Sequence, residues 1–247
     1  MKQTVCKVIK NELIAKNTYE MLMAGDTGGI TRPGQFMDIA INDFFLRRPF
    51  SVCYWDQDQV SVIYRAVGGG TEAMSNMAGG TELSVLCPLG NGYDVEDCCG
   101  RHLRDGSSLL VAGGGTGTAP LYGAVKKLSE KGIRPRVLLG FGSKDEVFYE
   151  EKFKEITSDV TIVTEDGSRG EKGMVTDFMS GGEYVLACGP ELMLKAVWER
   201  SSGGQFGFES RMGCGFGACM GCTCRTAHGS KRICKEGPVL FREEIVW

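Results

Sequence analysis

The hydrophobic rhythm of the sequence changes near Ser107, and this change constrains the fold more than any other feature. Before it, short segments of alternating or β-branched residues are separated by turns, as in "QTVCKVIKNELI", "PFSVCYW" and "QVSVIYRAV". Several short strands at this spacing predict an antiparallel β-barrel. After it, apolar strands, glycine turns and helical stretches alternate, as in "SLLVAGG" followed by "APLYGAVKKLSEKG". That alternation predicts a doubly wound parallel sheet, an α/β domain.

A third part begins after about Ser202, where neither rhythm continues. The remaining 45 or so residues carry five of the eleven cysteines. We therefore predict three parts: a β-barrel domain over residues 1–97, an α/β domain over 98–203 and a short cysteine module over 204–247. A chain of 247 residues can bury a core large enough to fold without disulfide bonds.

Composition and charge exclude several classes of protein. The N-terminal segment lacks the apolar core of a signal peptide, and no stretch reaches the roughly 18 apolar residues of a membrane span. We expect a soluble, cytoplasmic protein, whose cysteines are buried or bind metal rather than form disulfides. The net charge is −3, with lysine and arginine spread along the chain, which argues against nucleic acid as a partner.

The spacing of the clustered cysteines predicts an iron–sulfur cluster. Cys214, Cys219 and Cys222 stand as C-x4-C-x2-C, the spacing of plant-type [2Fe-2S] loops. A zinc site, which favours two C-x2-C pairs, is the alternative. The fourth thiolate must approach from the other side, and Cys224 lies too close to Cys222 in sequence to do so. Cys234 is the better candidate for the fourth ligand, and Cys224 is expected to be a bystander.

A glycine-rich loop predicts a phosphate-binding site in the α/β domain. In "LLVAGGGTGTAPLYGAV", Gly113, Gly114, Gly115 and Gly117 follow an apolar run and precede an amphipathic helix. Glycines allow the main chain to approach a pyrophosphate, whose charge then meets the N-terminus of the helix. The alternative is that the glycines only form a tight turn between strand and helix.

Four segments, in the same order along the chain, resemble the ferredoxin-reductase superfamily. They are "RRPFSV", similar to its flavin motif; "IYRAVGGGT", similar to its second flavin strand and turn; "GGGTGTAPL", similar to its nucleotide loop; and "YVLACGP", similar to its turn near the nicotinamide. The resemblance implies FAD between the barrel and the α/β domain, with NAD docking over it. Besides the loop glycines, the implied cofactor-binding residues are Arg48, Pro49, Phe50, Ser51, Ile63, Tyr64, Arg65, Gly70, Thr71, Cys188, Gly189 and Pro190.

The resemblance also implies roles for the flavin motif. Arg48 would offer its guanidinium fork to the pyrophosphate, Phe50 would pack on the isoalloxazine, and the Ser51 hydroxyl would hydrogen-bond N5. The alternatives are a solvated surface arginine and an ordinary core aromatic. Cys188 is predicted to lie near the nicotinamide without acting as a catalytic thiol.

The C-terminal part resembles a narrower family. "FESRMGCGFGACMGCTC" followed by "RICKEGPVL" is similar to the electron-transfer subunits of dihydroorotate dehydrogenase B, and the resemblance covers nearly the whole chain. It implies that electrons pass from dihydroorotate through FMN in a catalytic partner subunit, a [2Fe-2S] cluster and FAD to NAD+, in pyrimidine biosynthesis. It also implies a heterotetramer with two copies of each subunit. No residue of this chain is predicted to act on dihydroorotate, because a TIM barrel alone takes ~250 residues.

Two other functions stay open at the level of the sequence. One is a related flavin and iron–sulfur reductase that serves ferredoxin or a hydrogenase, and the other is a zinc-stabilised interaction module. NAD is favoured over NADP, because Asp145 and Glu146 beside Lys144 disfavour the added charge of a 2′-phosphate.

Overall fold

The N-terminal part is a closed six-stranded barrel in which every strand pairs with antiparallel neighbours. The computed structural model describes residues 1–105 and 108–247, with the side chains of 101–105 left out. The strands are β1 (Lys2–Ala15), β2 (Thr18–Ala24), β3 (Phe36–Ile39), β4 (Arg48–Trp55), β5 (Gln59–Arg65) and β6 (Glu82–Leu89). They follow the order β1-β2-β5-β4-β3-β6 around the barrel, and a short helix, α1 (Gly69–Ser75), joins β5 to β6.

Alternation along β3 divides its side chains between two apolar cores. Met37 and Ile39 point into the barrel and are almost fully buried there with Val52, Val62 and other residues of the barrel core. Phe36 lies on the opposite face and packs with the apolar residues of the C-terminal part. Successive side chains of a strand face opposite sides, so both faces of β3 are covered.

The second part contains a seven-stranded sheet, in the order β10-β9-β8-β7-β11-β12-β15. Its strands are β7 (Leu109–Gly114), β8 (Arg136–Phe141), β9 (Val160–Thr164), β10 (Glu171–Lys172), β11 (Tyr184–Cys188), β12 (Gly203–Gly207) and β15 (Val239–Phe241). The helices are α2 (Val95–Asp105), α3 (Thr118–Glu130), α4 (Glu150–Lys154) and α5 (Glu191–Arg200). All pairs are parallel except that of β12 with β15.

Helices cover both faces of this sheet. Every residue of β7 and β11 is buried, which suits the near-continuous apolar sequences of these strands. Leu121 and Val125 of α3 belong to the core on one face, whereas Leu194 and Val197 of α5 belong to the core on the other. The predicted doubly wound fold is confirmed. The chain order reverses between β7 and β11, the point at which such sheets bind ligands.

The C-terminal part is tied into the same sheet at both of its ends. β12 precedes the cysteines, β15 follows them, and the two strands pair with Phe206 opposite Leu240. Between them, β13 (Thr223–Thr226) and β14 (Gly229–Arg232) form a hairpin. The side chain of Asn91 donates to the carbonyls of Glu236 and Val239, at 3.1 and 2.7 Å, and so links this part to the chain after the barrel.

The boundaries expected from the sequence fall within elements of this structure. The limit after residue 97 lies in α2, and the limit before residue 204 lies in β12. The extents of the three domains stay predictions. Within the described ranges, none of the helices combines the length and the apolar character needed to cross a bilayer.

Candidate functional site

A cavity of about 280 Å³ lies between the barrel and the seven-stranded sheet. Strands β4 and β5 and the turn after β5 form one of its walls. Seven predicted flavin-site residues line this cavity: Pro49, Phe50, Ser51, Ile63, Tyr64, Arg65 and Thr71. The segments "RRPFSV" and "IYRAVGGGT", which lie on neighbouring strands, thus both contribute to one cavity, as the predicted flavin site requires.

Aromatic rings contribute to this wall. The rings of Phe50 and Tyr64 are 5.7 Å apart at 60°, and Tyr19 stacks on Tyr64 at 5.6 Å. The Tyr64 hydroxyl donates to the Asn11 side-chain oxygen at 2.9 Å, and burial raises the pKa of Tyr64 to about 12, so the hydroxyl stays neutral. An apolar wall with a few polar groups, here Ser51 and Arg65, is the usual lining for a planar cofactor. The residues that line this cavity therefore fit a flavin ring.

Arg48 lies beside the cavity, against the turn that carries Gly70. A Cβ at Gly70 would be 3.0 Å from the Arg48 Nε, so a larger residue would displace the guanidinium. The Arg48 guanidinium also stands over the ring of Phe44, 5.3 Å from its centre. The Thr71 hydroxyl accepts hydrogen bonds from the N–H groups of Val67 and Gly68, at 3.0 and 3.2 Å, which holds this turn in place. A guanidinium group next to the first turn of α1 could bind a pyrophosphate with two parallel hydrogen bonds.

The glycines of the nucleotide loop divide into two groups. A Cβ at Gly117 would be 2.4 Å from the carbonyl oxygen of Cys188, one at Gly114 would be 2.5 Å from Met193 Sδ, and one at Gly113 would be 3.0 Å from Thr118 Oγ1. These three positions are needed for close packing. A Cβ at Gly115 would meet nothing within 4 Å, and the φ of this residue is +52°, so the packing does not account for glycine at this position.

A second cavity, of about 460 Å³, lies at the carboxyl ends of β7 and β8. Gly114, Gly115 and Pro190 line it, together with Glu146 and Glu165. Arg65 borders both cavities and forms an ion pair with Glu146 at 2.8 Å. The second cavity therefore adjoins the first, and its two carboxylates, of which Glu146 is paired with Arg65, disfavour a 2′-phosphate.

Cys188 ends β11 and is buried beside the nucleotide loop. Burial raises the pKa of its thiol to about 12, so Cys188 carries no thiolate at neutral pH. Next to it, the φ of Gly189 is +159°, and a Cβ there would be 3.1 Å from Gly114. The predicted Cys-Gly-Pro turn thus packs directly against the glycine loop.

The predicted cluster ligands form two pairs. The Cys214 sulfur accepts hydrogen bonds from the N–H groups of Ala218 and Cys219, at 3.2 and 3.4 Å. Desolvation opposes ionisation of Cys214, but these N–H groups prevail and lower its pKa to about 6. In the other pair, the Cys222 sulfur accepts from the N–H of Cys234 at 3.4 Å, and both residues are buried.

The pairing of these thiols is compatible with a cluster that has two thiolates on each iron. Among the side chains that the structure describes, those of residues 1–100 and 108–247, no three from His, Cys, Asp or Glu are grouped closely enough to hold a single ion. A structural zinc site needs four ligands around one ion, whereas a [2Fe-2S] cluster has two thiolates on each iron. Pairs of thiols with N–H groups directed at their sulfurs fit the second case. Cys224 lies on β13, opposite Lys231, is half-buried and packs against the core that contains Cys222 and Cys234.

The chain is similar over nearly its whole length to several known proteins. The chain is 39% identical, over 97% of its length and 96% of the relative's, to the dihydroorotate dehydrogenase B (NAD(+)) electron transfer subunit of Bacillus mycoides strain KBAB4. It is 40% identical to the corresponding subunit of Fusobacterium nucleatum, with 99% of both chains covered. The chain belongs to the family of dihydroorotate dehydrogenase B electron transfer subunits. Residues 209–246 of this family member also match the model of the iron–sulfur cluster binding domain of dihydroorotate dehydrogenase B.

Solved structures support the fold of this family member. An NADH-dependent reduced ferredoxin-NADP oxidoreductase superposes with a TM-score of 0.84 at 26% identity, covering 98% of this chain and 90% of that one. Phthalate dioxygenase reductase superposes with a TM-score of 0.62 at 19% identity, covering 79% and 63%, which shows the fold alone. The family and the fold class expected from the sequence are confirmed.

Sequence reasoning missed one wall of the flavin cavity in this family member. Phe208, Glu209, Ser210 and Met212 line it, directly after β12. The first three also border a further cavity of about 280 Å³ that reaches Cys222, so this segment lies between the flavin cavity and the cysteine module. Desolvation raises the pKa of Glu209 above its usual range. The available signal was the Glu-Ser-Arg-Met sequence before the first cluster cysteine.

Proposed function

We propose that this chain is the electron transfer subunit of an NAD+-dependent dihydroorotate dehydrogenase of pyrimidine biosynthesis. It passes electrons from an FMN-containing catalytic subunit through a [2Fe-2S] cluster and FAD to NAD+. The relatives that cover nearly the whole chain carry this name, and they support the proposal. The observation that carries it is the adjacency of three sites: two cavities that share Arg65, and a cysteine module one segment away from the first.

We assign FAD to the cavity between the barrel and the sheet. Phe50 and Tyr64 provide the wall for the flavin ring, Ser51 provides a hydroxyl at this wall, and Arg48 beside Gly70 receives the pyrophosphate. FAD supplies the exchange of a hydride with a nicotinamide and of single electrons with iron. The complete proposed set is Arg48, Pro49, Phe50, Ser51, Ile63, Tyr64, Arg65, Gly70 and Thr71.

We assign NAD to the cavity at the carboxyl ends of β7 and β8. Gly115 offers open backbone to the pyrophosphate, and the packing of Gly113, Gly114 and Gly117 holds the loop against the turn formed by Cys188, Gly189 and Pro190. The protonated Cys188 thiol contributes position and shape. Glu146 and Glu165 favour NAD over NADP by charge.

We assign the [2Fe-2S] cluster to Cys214, Cys219, Cys222 and Cys234, whose thiolates would hold it. The N–H groups of Ala218, Cys219, Gly221 and Cys234 that reach cysteine sulfurs would stabilise the charge of the bound cluster. Cys224 takes no part in binding.

The oxidation of dihydroorotate takes place on the partner subunit, in a cytoplasmic heterotetramer with two copies of each chain. This chain supplies no group to that reaction. Its own residues bind the cofactors and hold them at adjoining sites.

The experiment compares Cys234→Ser with Cys224→Ser, a matched control that removes another cysteine of the same module. Each variant is purified with its catalytic partner and measured for iron, FAD and visible absorbance. Cys234→Ser should lose the cluster and keep FAD, whereas Cys224→Ser should keep both. The reverse result would overturn the ligand assignment, and zinc in place of iron in the unmodified protein would overturn the electron-transfer function.

Recovery of the unmodified chain decides between donors. A stable FMN-containing partner that oxidises dihydroorotate supports the proposal. Full activity with reduced ferredoxin and no such partner would instead favour a reductase like the ferredoxin-NADP oxidoreductase whose fold this chain shares.

A further inference from the structure

A buried carboxyl group lies between β4, which lines the proposed flavin cavity, and the cysteine module. Asp38 is in β3, is 2% exposed, and pairs across the ladder with Pro49 of β4, a residue of the flavin cavity wall. Its side chain shares the outer face of β3 with Phe36, which packs in the apolar core that contains Cys222 and Cys234. Burying an ionisable group in such a place costs folding free energy unless the group is hydrogen-bonded or paired with an opposite charge.

The Asp38 carboxyl reaches the cluster-binding loop itself. A Cβ at Gly215, the residue after Cys214, would be 2.5 Å from Asp38 Oδ2. The φ of Gly215 is +74°, so both the backbone conformation and the contact require glycine. The other oxygen, Oδ1, is buried, and no group within the described part of the chain donates a hydrogen bond to it.

Two arginines are the charged groups that act on this carboxyl. Arg47 donates to the Ser84 carbonyl at 2.7 Å and to the Ser84 hydroxyl at 3.0 Å, and Arg48 lies at the start of β4. Desolvation raises the pKa of Asp38 to about 6, against the opposing effect of Arg47 and Arg48. Above pH 7 the carboxyl is therefore mainly ionised and close to the loop.

We propose that Asp38 is a positioning residue for the cluster: it holds the binding loop at Gly215 and places a negative charge that lowers the reduction potential of the cluster. The inference rests on the proposed cluster ligands. Reduction adds one negative charge to the cluster, and a nearby buried anion opposes that addition because few solvent dipoles screen it. Nothing in the cysteine spacing points to this residue, since it is contributed by the barrel.

The test compares Asp38→Asn with Asp43→Asn in the complete complex at pH 8. Both changes replace a carboxylate by an amide in the same β3–β4 hairpin, but Asp43 is exposed and its φ of 66° suits asparagine. The cluster is titrated by its absorbance and electron paramagnetic resonance, with FAD content as a check. Asp38→Asn should raise the ratio of reduced to oxidised cluster about tenfold at a fixed potential, which is a shift of about 59 mV for one electron. Asp43→Asn should leave it unchanged.

An Asp38→Asn potential equal to that of the unmodified complex would overturn the inference, and loss of iron with retention of FAD would support the positioning role. Absence of a cluster from the unmodified complex would overturn the proposed function instead.

A second pair of variants decides the matter if Asp38→Asn does not fold. Gly215→Ala and Gly217→Ala both introduce a side chain at a positive φ in the same loop, but a Cβ at Gly217 meets the flexible side chain of Lys235 rather than a buried carboxyl. Gly215→Ala should lose several-fold more iron than Gly217→Ala. Equal retention of iron would refute the contact with Asp38.

Discussion

Replacing Gly117 with alanine tests how the nucleotide loop is held. The φ and ψ of Gly117 are −62° and −15°, a helical conformation that alanine adopts without strain. At a position with free space, the change would raise the free energy of unfolding by about 0.4–1 kcal/mol, because alanine reduces the entropy of the unfolded chain. The backbone conformation alone therefore predicts stabilisation.

The packing predicts the opposite sign. The new Cβ would be 2.4 Å from the oxygen and 2.5 Å from the carbon of the Cys188 carbonyl, and 2.6 Å from the Gly189 nitrogen. Ordinary contact begins at 3.4 Å, so the loop and the end of β11 would have to separate by about 1 Å. These are backbone atoms at the end of a buried parallel strand. Overpacking typically costs about 1–3 kcal/mol, and we expect a loss at the upper end, about 3 kcal/mol.

Thermal unfolding followed by circular dichroism measures this loss. For a chain of this size, about 3 kcal/mol lowers Tm by roughly 6–12 °C. The KM for NAD+ should rise about tenfold or more, because the loop that meets the cofactor moves with Gly117. The control for the unfolding measurement is Gly115→Ala, which has free space and costs roughly 1–2 kcal/mol through its positive φ alone. A Gly117→Ala variant that melts at or above the temperature of the unmodified protein would refute the packing argument.

Two further predictions concern the cofactors. Arg48→Ala should weaken FAD binding by about 1.5–3 kcal/mol, the worth of a hydrogen bond to a charged group, and unchanged flavin dissociation would contradict the assignment of the pyrophosphate to this residue. Glu165→Gln should raise kcat/KM for NADP+ relative to NAD+ several-fold, because it removes a negative charge from the nucleotide cavity. Steady-state rates with both cofactors measure this ratio, and an unchanged ratio would exclude Glu165 from the choice.

The features that could be predicted from the sequence are those encoded locally. Alternation predicted the barrel strands, and the repeated strand, glycine turn and helix predicted the parallel sheet. The flavin-motif segments around Phe50 and Tyr64 were found because each is a short continuous motif. The pairing of the cysteines was compatible with their spacing.

Other features depend on contacts between distant residues, which a pattern of one chain does not encode. The pairing of β12 with β15 joins residues more than thirty positions apart. Nothing in "QFMDIAI" shows that Asp38 is buried or that Gly215 lies against it. For the loop glycines, a phosphate site and a tight turn between strand and helix were both open, and the structure explains three of the four by packing against Thr118, Met193 and Cys188.

The attachment of the cysteine module by β12, β15 and Asn91 bears on how electrons could move. A redox carrier on a flexible tether must find its donor and acceptor in every catalytic cycle, and that search can limit the rate. Here the module is joined by β12 and β15 to the sheet that also lines the proposed nucleotide site. Its distance from the proposed flavin cavity is therefore set when the chain folds. Under the proposed assignment, the electron path within this chain is set by folding, and NAD+ is the redox partner of this chain that diffuses in and out.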